Sequence, residues 1–376
     1  MNSNWFRKYF LDGQKLEEKF CEKLENLPAN PTISDLFLIK YRKFTALVVP
    51  VTIVQLIWWS SAVRFNIFPL FREFWHMPLT MILGSLVAGM TAEGASAVSF
   101  PVMTLALHLD PGVARDFAIM IQSVGMTSSL VCIVFMKVKI EGRAVVFGTI
   151  GAIPGFVFGI HFFDPLFTGP QKKMLFVSIW TAFAFALALI NTQKKRATFS
   201  EIQNFSTTQA HILVIVGFVG GVLNAFAGSG IDICIFSITV LYFRVSEKIA
   251  TPTTTILKGI LSLFGFYYRA VMQGDISRIS WNYFICSTPI ASIFAPVGSF
   301  LGSHLHRQVI AGLIYLVEII SLVGFYASRP EIGLVWVSVI IMIFGFAFFY
   351  IISKFGERMI PESECLPLEN LKMIDA

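Results

Sequence analysis

Apolar residues run through this chain in long stretches rather than in the alternating or one-faced patterns of soluble elements. Stretches at 44–63, 117–136, 144–163, 174–190, 250–272, 283–305, 309–327 and 332–352 mostly reach the roughly 20 residues a helix needs to cross a bilayer core of about 30 Å. Two further segments, 78–107 and 211–243, are as apolar but broken by small and polar residues. In the first, Leu83-Gly84 leads through Gly89 and Glu93-Gly94-Ala95-Ser96 to Phe100-Pro101 and Leu107. In the second, Val216-Gly217 leads through Gly220-Gly221, Asn224 and Gly228-Ser229-Gly230-Ile231-Asp232 to Phe243. The pattern predicts an all-α polytopic membrane protein. Lipid cannot satisfy irregular backbone, so each break must be buried in protein or face a watery cavity, and two breaks point to one shared cavity of the transporter kind.

Superimposing the breaks brings Phe117-Ala118 opposite Ile249-Ala250, and Gly155-x3-Gly159-x-His161 opposite Gly298-x3-Gly302-x-His304. That register predicts an internal duplication, each half holding one broken segment and three full spans. Arms such as 211–225 and 231–243 reach only about 20 Å at 1.5 Å per residue, too short to cross alone. Two courses are open to them, a hairpin or a discontinuous helix. With the N-terminus inside, the hairpin puts Lys137, Lys139, Arg143, Lys194, Lys195 and Arg196 on the cytoplasmic side and Arg115, Lys172 and Lys173 outside, which favours it. Three crossings per half then turn the second half over, giving an inverted repeat. The predicted division is an N-terminal cytoplasmic amphipathic arm (1–43), an extra transmembrane helix and loop (44–77), a first repeat (78–190) and a linker (191–210). A second repeat (211–327), a final helix (328–352) and a flexible tail (353–376) follow.

Composition agrees with this picture. The 376 residues are 55% hydrophobic and 14% charged, with mean hydropathy +0.71, far too apolar for a chain that must present a charged surface. The arm sets Trp5, Phe6, Tyr9, Phe10, Leu16, Phe20 and Leu24 among Lys and Glu, a spacing that suits a helix on the membrane surface or a solvated tail helix. A cleavable signal peptide is not expected, because no apolar core precedes Phe44. The net charge of +6 sits in loops and arm, where it orients a membrane protein and gives no reason to expect nucleic acid. Cys21, Cys132, Cys234, Cys286 and Cys365 lie far apart, so neither a metal site nor a disulfide framework is indicated.

The breaks carry the candidate chemistry. Gly94, Ala95 and Ser96, and Gly228, Ser229 and Gly230 with Asn224, would turn free backbone N–H groups toward an anion if each opens the second arm of a hairpin. Close helix packing by small residues is the competing reading. Glu93 and Asp232 flank the breaks and Lys258 lies inside an apolar run, where charge is costly unless paired or hydrated. Lys258 either balances a bound anion or pairs permanently with Asp232; on the first reading Lys258→Met leaves folding largely intact. Glu93 and Asp232 are the candidates for a coupling proton. Gln122, Ser123 and Thr127 in the first half, and Thr253, Thr254 and Thr255 in the second, follow the breaks and could line the cavity or join helices. His161 and His304 fall near span ends, and Glu318 receives no role. A serine nucleophile at Ser229 would need a base, and no His lies at a matching mid-span position, so enzyme activity is not expected.

Gly89 to Leu107 with Pro101, Val216 to Ile233, Val245-Ser246-Glu247-Lys248-Ile249-Ala250-Thr251 and Gly298-x3-Gly302 together resemble the TauE/SafE sulfite and organosulfonate exporter family, over about residues 80 to 350. The family's glycine run is reduced here to Glu93-Gly94-Ala95-Ser96, and the second half lacks a match to Pro101. The resemblance implies export of a small sulfur-containing anion. The resulting expectation is a multi-pass transporter in the plasma membrane with both termini cytoplasmic. Its partners would be a small anion and the lipid bilayer, with homo-oligomerisation open and no cofactor. An anion channel, or a scaffold or sensor that moves nothing, is the alternative.

Overall fold

The computed structural model describes residues 16, 18–26, 32–192 and 198–358. Trp5, Phe6, Tyr9 and Phe10 of the arm, Lys194, Lys195 and Arg196 of the linker, and the tail beyond residue 358 with Cys365 lie outside these. Of the arm, a helix spans Glu18–Glu25, and Leu16 bridges to Val138.

Helix α1 (Arg42–Phe65) leads to the first broken segment, α2 (His76–Met90) and α3 (Ser96–Pro101), whose last turn widens into a π-helix over Val102–Ala106. Helices α4 (Pro111–Phe135), α5 (Gly142–Phe158) and α6 (Gly169–Thr192) follow. The second broken segment is α7 (Thr207–Ala227) and α8 (Ile231–Ser237), again ending in a π-turn at Ile238–Tyr242. Then come α9 (Glu247–Tyr267), α10 (Arg278–His304), α11 (Arg307–Ala327) and α12 (Ile332–Arg358). Among the described residues no strand forms, and eight helices are long and apolar enough to cross a membrane. The outward faces of α1 and α12, with Leu56, Val63, Trp336 and Phe344 exposed, suit lipid.

At two of the span boundaries that differ from the hydrophobic pattern, caps override it. Asp110 accepts from Gly112 N at 2.7 Å and Pro111 takes the first helical position, so α4 begins well before residue 117. Arg115 is therefore a buried helical residue and not a loop charge. Ser206 and Gln209 form a reciprocal capping box that starts α7 at Thr207. With 21 residues α7 is about 30 Å long at 1.5 Å per residue, so the expectation that this arm is too short to cross is overturned.

Both broken segments nonetheless fold back on themselves. A Cβ on Gly84 of α2 would meet Val98 of α3 at 3.5 Å, and one on Gly220 of α7 would sit 2.8 Å from the Ile231 Cα of α8. They return to opposite ends of the bundle. Helices α6 and α12 run side by side in the same direction, tied by Ser178 to Ser338 at 2.9 Å. Lys173, at the start of α6, donates to Thr104 O at 2.8 Å, whereas Arg244 donates to Ser353 O, near the end of α12, at 3.1 Å.

Each broken segment is gripped by a helix of the other half. Built Cβ atoms on Gly155 and Gly159 of α5 would fall 2.1 Å from Phe218 O and 2.7 Å from the Ala225 Cβ of α7. On Gly298 and Gly302 of α10 they would fall 2.4 Å from Leu86 O and 2.8 Å from the Met90 Cα of α2. Backbones approach this closely only where side chains are absent, which is how helices associate when lipid offers no hydrophobic drive.

Candidate transport site

The first break starts where Thr91 leaves the helix in extended conformation; its hydroxyl donates to Val87 O at 2.8 Å and accepts from Glu93 N at 3.2 Å. Gly94 follows at φ +77°. The second break opens with Gly228 at φ +72°, whose N–H donates to Asn224 O at 2.9 Å, and Gly230 lies at φ +150°. These left-handed conformations explain the glycines, since a Cβ would strain the backbone there.

The breaks meet face to face. Ser229 Oγ lies 2.9 Å from Glu93 O, and Gln122 on α4 donates to Gly228 O at 2.8 Å. Lys258 reaches in from the middle of α9, donating to Ser229 Oγ at 2.6 Å and Glu93 O at 3.1 Å, and forms a buried ion pair with Asp232. A Cβ on Gly94 would sit 1.6 Å from Lys258 Nζ, so the ammonium occupies the face that glycine leaves open. Asp232 also accepts from Gly230 N at 2.9 Å and lies 2.9 Å from Ser229 Oγ. Having accepted from Lys258, Ser229 has one proton left, for either Asp232 or Glu93 O. The carboxylate of Asp232 thus takes part of the donor set that the sequence assigned to a foreign anion, namely Ser229, Gly230 N–H and Lys258.

Other candidates divide by helix face. Ser96 is fully buried with a free hydroxyl, beside buried Ala95; Gln122 Oε1 and both side-chain polar atoms of Asn224 are likewise buried without partners. Thr254 stands one turn before Lys258 on the same side of α9, its hydroxyl donating to Thr251 O at 2.9 Å. Ser123, Thr127 and Thr253 are not brought to the cluster. Ser123 donates to Met120 O at 2.7 Å and, with Thr127, faces an apolar groove beneath α1 lined by Pro50, Ile53 and Trp58. Thr253 donates to Ile249 O and accepts from Glu141 N at 2.9 Å, tying α9 to the loop before α5. At 100° per residue, polar neighbours on one helix point apart, and composition does not say which faces inward. His161, exposed and 2.7 Å from the Tyr268 hydroxyl, and His304, beside Phe300 O, stay at span ends.

A cavity of about 190 Å³ runs from Lys248, Ser303 and Arg307 at one end of the bundle down to Thr91 and Ala92 at the first break. Met136, Val138 and Thr255 also line it. The opposite end holds an ion-pair network. Arg269 grips Asp116 through two bonds of 2.9 Å, Arg115 bonds Asp116 at 2.9 Å and Asp164 at 2.8 Å, and Lys172 adds a 2.7 Å bond to Asp164. Sequence reasoning passed over this network, although Arg269 inside an apolar span was a usable signal. Asp116→Asn leaves two buried guanidiniums short of charge, and a loss of about 3–5 kcal/mol is expected from thermal unfolding in detergent. An unchanged melting temperature would mean that the network holds nothing together.

Long apolar helices, broken segments meeting at mid-bundle and a cavity leading to them define a multi-pass membrane protein of the transporter class. Residues 77–326 match the family model described as sulfite exporter TauE/SafE, and the chain belongs to that family of membrane transporters. No curated protein and no solved structure matches it.

Proposed function

We propose that the chain exports a small oxyanion of the sulfite or organosulfonate class, coupled to protons, by alternating access between two inverted halves. The observation that carries this reading is the Asp232 carboxylate held by Ser229, Gly230 N–H and Lys258. Those donors suit an oxyanion, and here one from the chain itself occupies them. A substrate anion competes for the same donors, and a proton taken by Asp232 frees them, which links anion binding to proton binding. Gly94, Ala95, Ser96, Gln122, Asn224 and Gly228 complete the lining, and Lys258 balances the charge.

The inverted relation is supported by segments that return to opposite ends and by Gly155/Gly159 and Gly298/Gly302 serving the same purpose in the two halves. One end is open as a cavity and the other is latched by Arg115, Asp116 and Arg269, as expected of one limb of an access cycle. Lys137, Lys139 and Arg143 follow Met136 and Val138 at the cavity end, which supports a cytoplasmic assignment for that end, where α1 begins and α12 ends, and plasma-membrane residence goes with this reading.

The test is binding of sulfite, sulfate, sulfonates and carboxylates to purified protein, followed by flux in proteoliposomes. Ser229→Ala is expected to weaken binding of the preferred anion roughly 10- to 100-fold, the loss of a charge-assisted hydrogen bond of about 1.5–3 kcal/mol. Unaltered affinity removes Ser229 from the site. Flux that never saturates indicates a channel, and no binding or flux for any of the four classes leaves the scaffold.

A further inference from the structure

Charges in the middle of the bundle do not balance. Lys258 is committed to Asp232, yet Glu93 and Glu318 are as deeply buried, at 0% and 2% exposure. All four of their carboxylate oxygens lack a hydrogen-bond partner. Glu93 lies within electrostatic reach of Glu318, Asp232 and Lys258. The other charges on α11 and its neighbours are directed elsewhere, Lys173 of α6 to Thr104 O and Arg307 toward Glu247. Two ionised carboxylates buried this deeply, with no hydrogen-bond partner among the described residues, would cost several kcal/mol per charge.

Their position relative to the cavity gives this imbalance a use. Ala311 and Ile314 of α11 line the cavity, and Glu318 follows one turn deeper on the same face. Thr91 and Ala92 line it from the other side, and Glu93 is the next residue. We propose that Glu318 and Glu93 form a proton-binding pair at the floor of the cavity, through which protons pass between the cavity water and Asp232. Glu93 delivers its proton to the Asp232 carboxylate, which lets go of Lys258, Ser229 and Gly230; Glu318 passes its own proton to Glu93, and a proton from the cavity water restores Glu318. The return path runs in reverse, and no other reactant is consumed. This rests on the reading of Asp232 as the group a substrate anion displaces; Glu318 is the new member, placed outside the anion's contacts.

Infrared difference spectroscopy of the full-length protein without substrate tests the pair directly. The carbonyl band of protonated carboxylic acids is expected in the unaltered protein and is expected to lose separate components in Glu318→Gln and in Glu93→Gln. Gln is a neutral isostere, so Glu318→Gln should melt no earlier than the parent. In proteoliposomes, a gradient of one pH unit should accumulate sulfite about tenfold for each coupled proton, and Glu318→Gln should bring that ratio down to about one. Glu318→Asp, which keeps an acid on a shorter stem, should restore part of it. An undiminished infrared band in Glu318→Gln, or full accumulation by that variant, overturns the proposal. If the unaltered protein moves no anion, the transport reading fails by itself, and the infrared bands still decide whether the pair holds protons.

Discussion

Lys258→Met is expected to cost the protein about 3–5 kcal/mol of stability, because it strands the Asp232 carboxylate in a site with 1% exposure. The sequence leaves two readings of Lys258 open, a counter-charge for a bound anion or a partner of Asp232, and the ion pair seen here makes its loss costly. In the structure the ammonium also joins the two breaks, bonding Ser229 on one side and Glu93 O on the other. Its removal loosens a contact between the two broken segments. The double variant Lys258→Met with Asp232→Asn should recover much of the loss, since a neutral amide needs no counter-charge and can still accept from Gly230 N. Thermal unfolding in detergent of both single variants and the double one closes the cycle. Additive losses, with no recovery in the double variant, would show that the ion pair contributes nothing to holding the breaks together.

Gly94→Ala is expected to abolish transport, for two separable reasons. A φ of +77° costs a non-glycine residue roughly 1–2 kcal/mol of backbone strain. The added methyl would also stand 1.6 Å from Lys258 Nζ, so the ammonium must leave Ser229 and Glu93 O or the loop must move. Gly274, at φ +68° with nothing within 4 Å of its missing Cβ, supplies the control for strain alone. Gly274→Ala should lose about the same 1–2 kcal/mol of stability and keep its anion flux. Flux at the parental level in Gly94→Ala would mean that Lys258 does not work from this position.

Features that depend on long runs or local chemistry were legible before any coordinates. The spans are set by hydrophobic length, and the breaks by small and polar residues, among which the structure holds Gly94, Gly228 and Gly230 at positive φ. The glycine register between 155–159 and 298–302 is equally plain in the sequence, though that these glycines grip the opposite half's broken segment is not. Capping fixed what hydropathy blurred, at Asp110 and Ser206. What stayed hidden required knowing which residues face each other. Arg115, Asp116, Asp164 and Arg269 come from three separate spans and become a network only when α4, α5 and α9 converge. Ser123 and Thr253 sit within a residue of Gln122 and Thr254 yet point out of the cluster. Glu318 receives no role from the sequence because Glu93, within its electrostatic reach, is far away along the chain.

The exchange of glycine faces between the halves bears on how the protein is made. As the ribosome delivers the chain, α2 reaches the bilayer long before α10, whose Gly298 and Gly302 are what cover its backbone. Until then the stretch of α2 around Leu86 and Met90 lacks the helix it packs against. A nascent chain halted after α6 should accordingly be a substrate for membrane quality control, and supplying the missing half from a second transcript should rescue it.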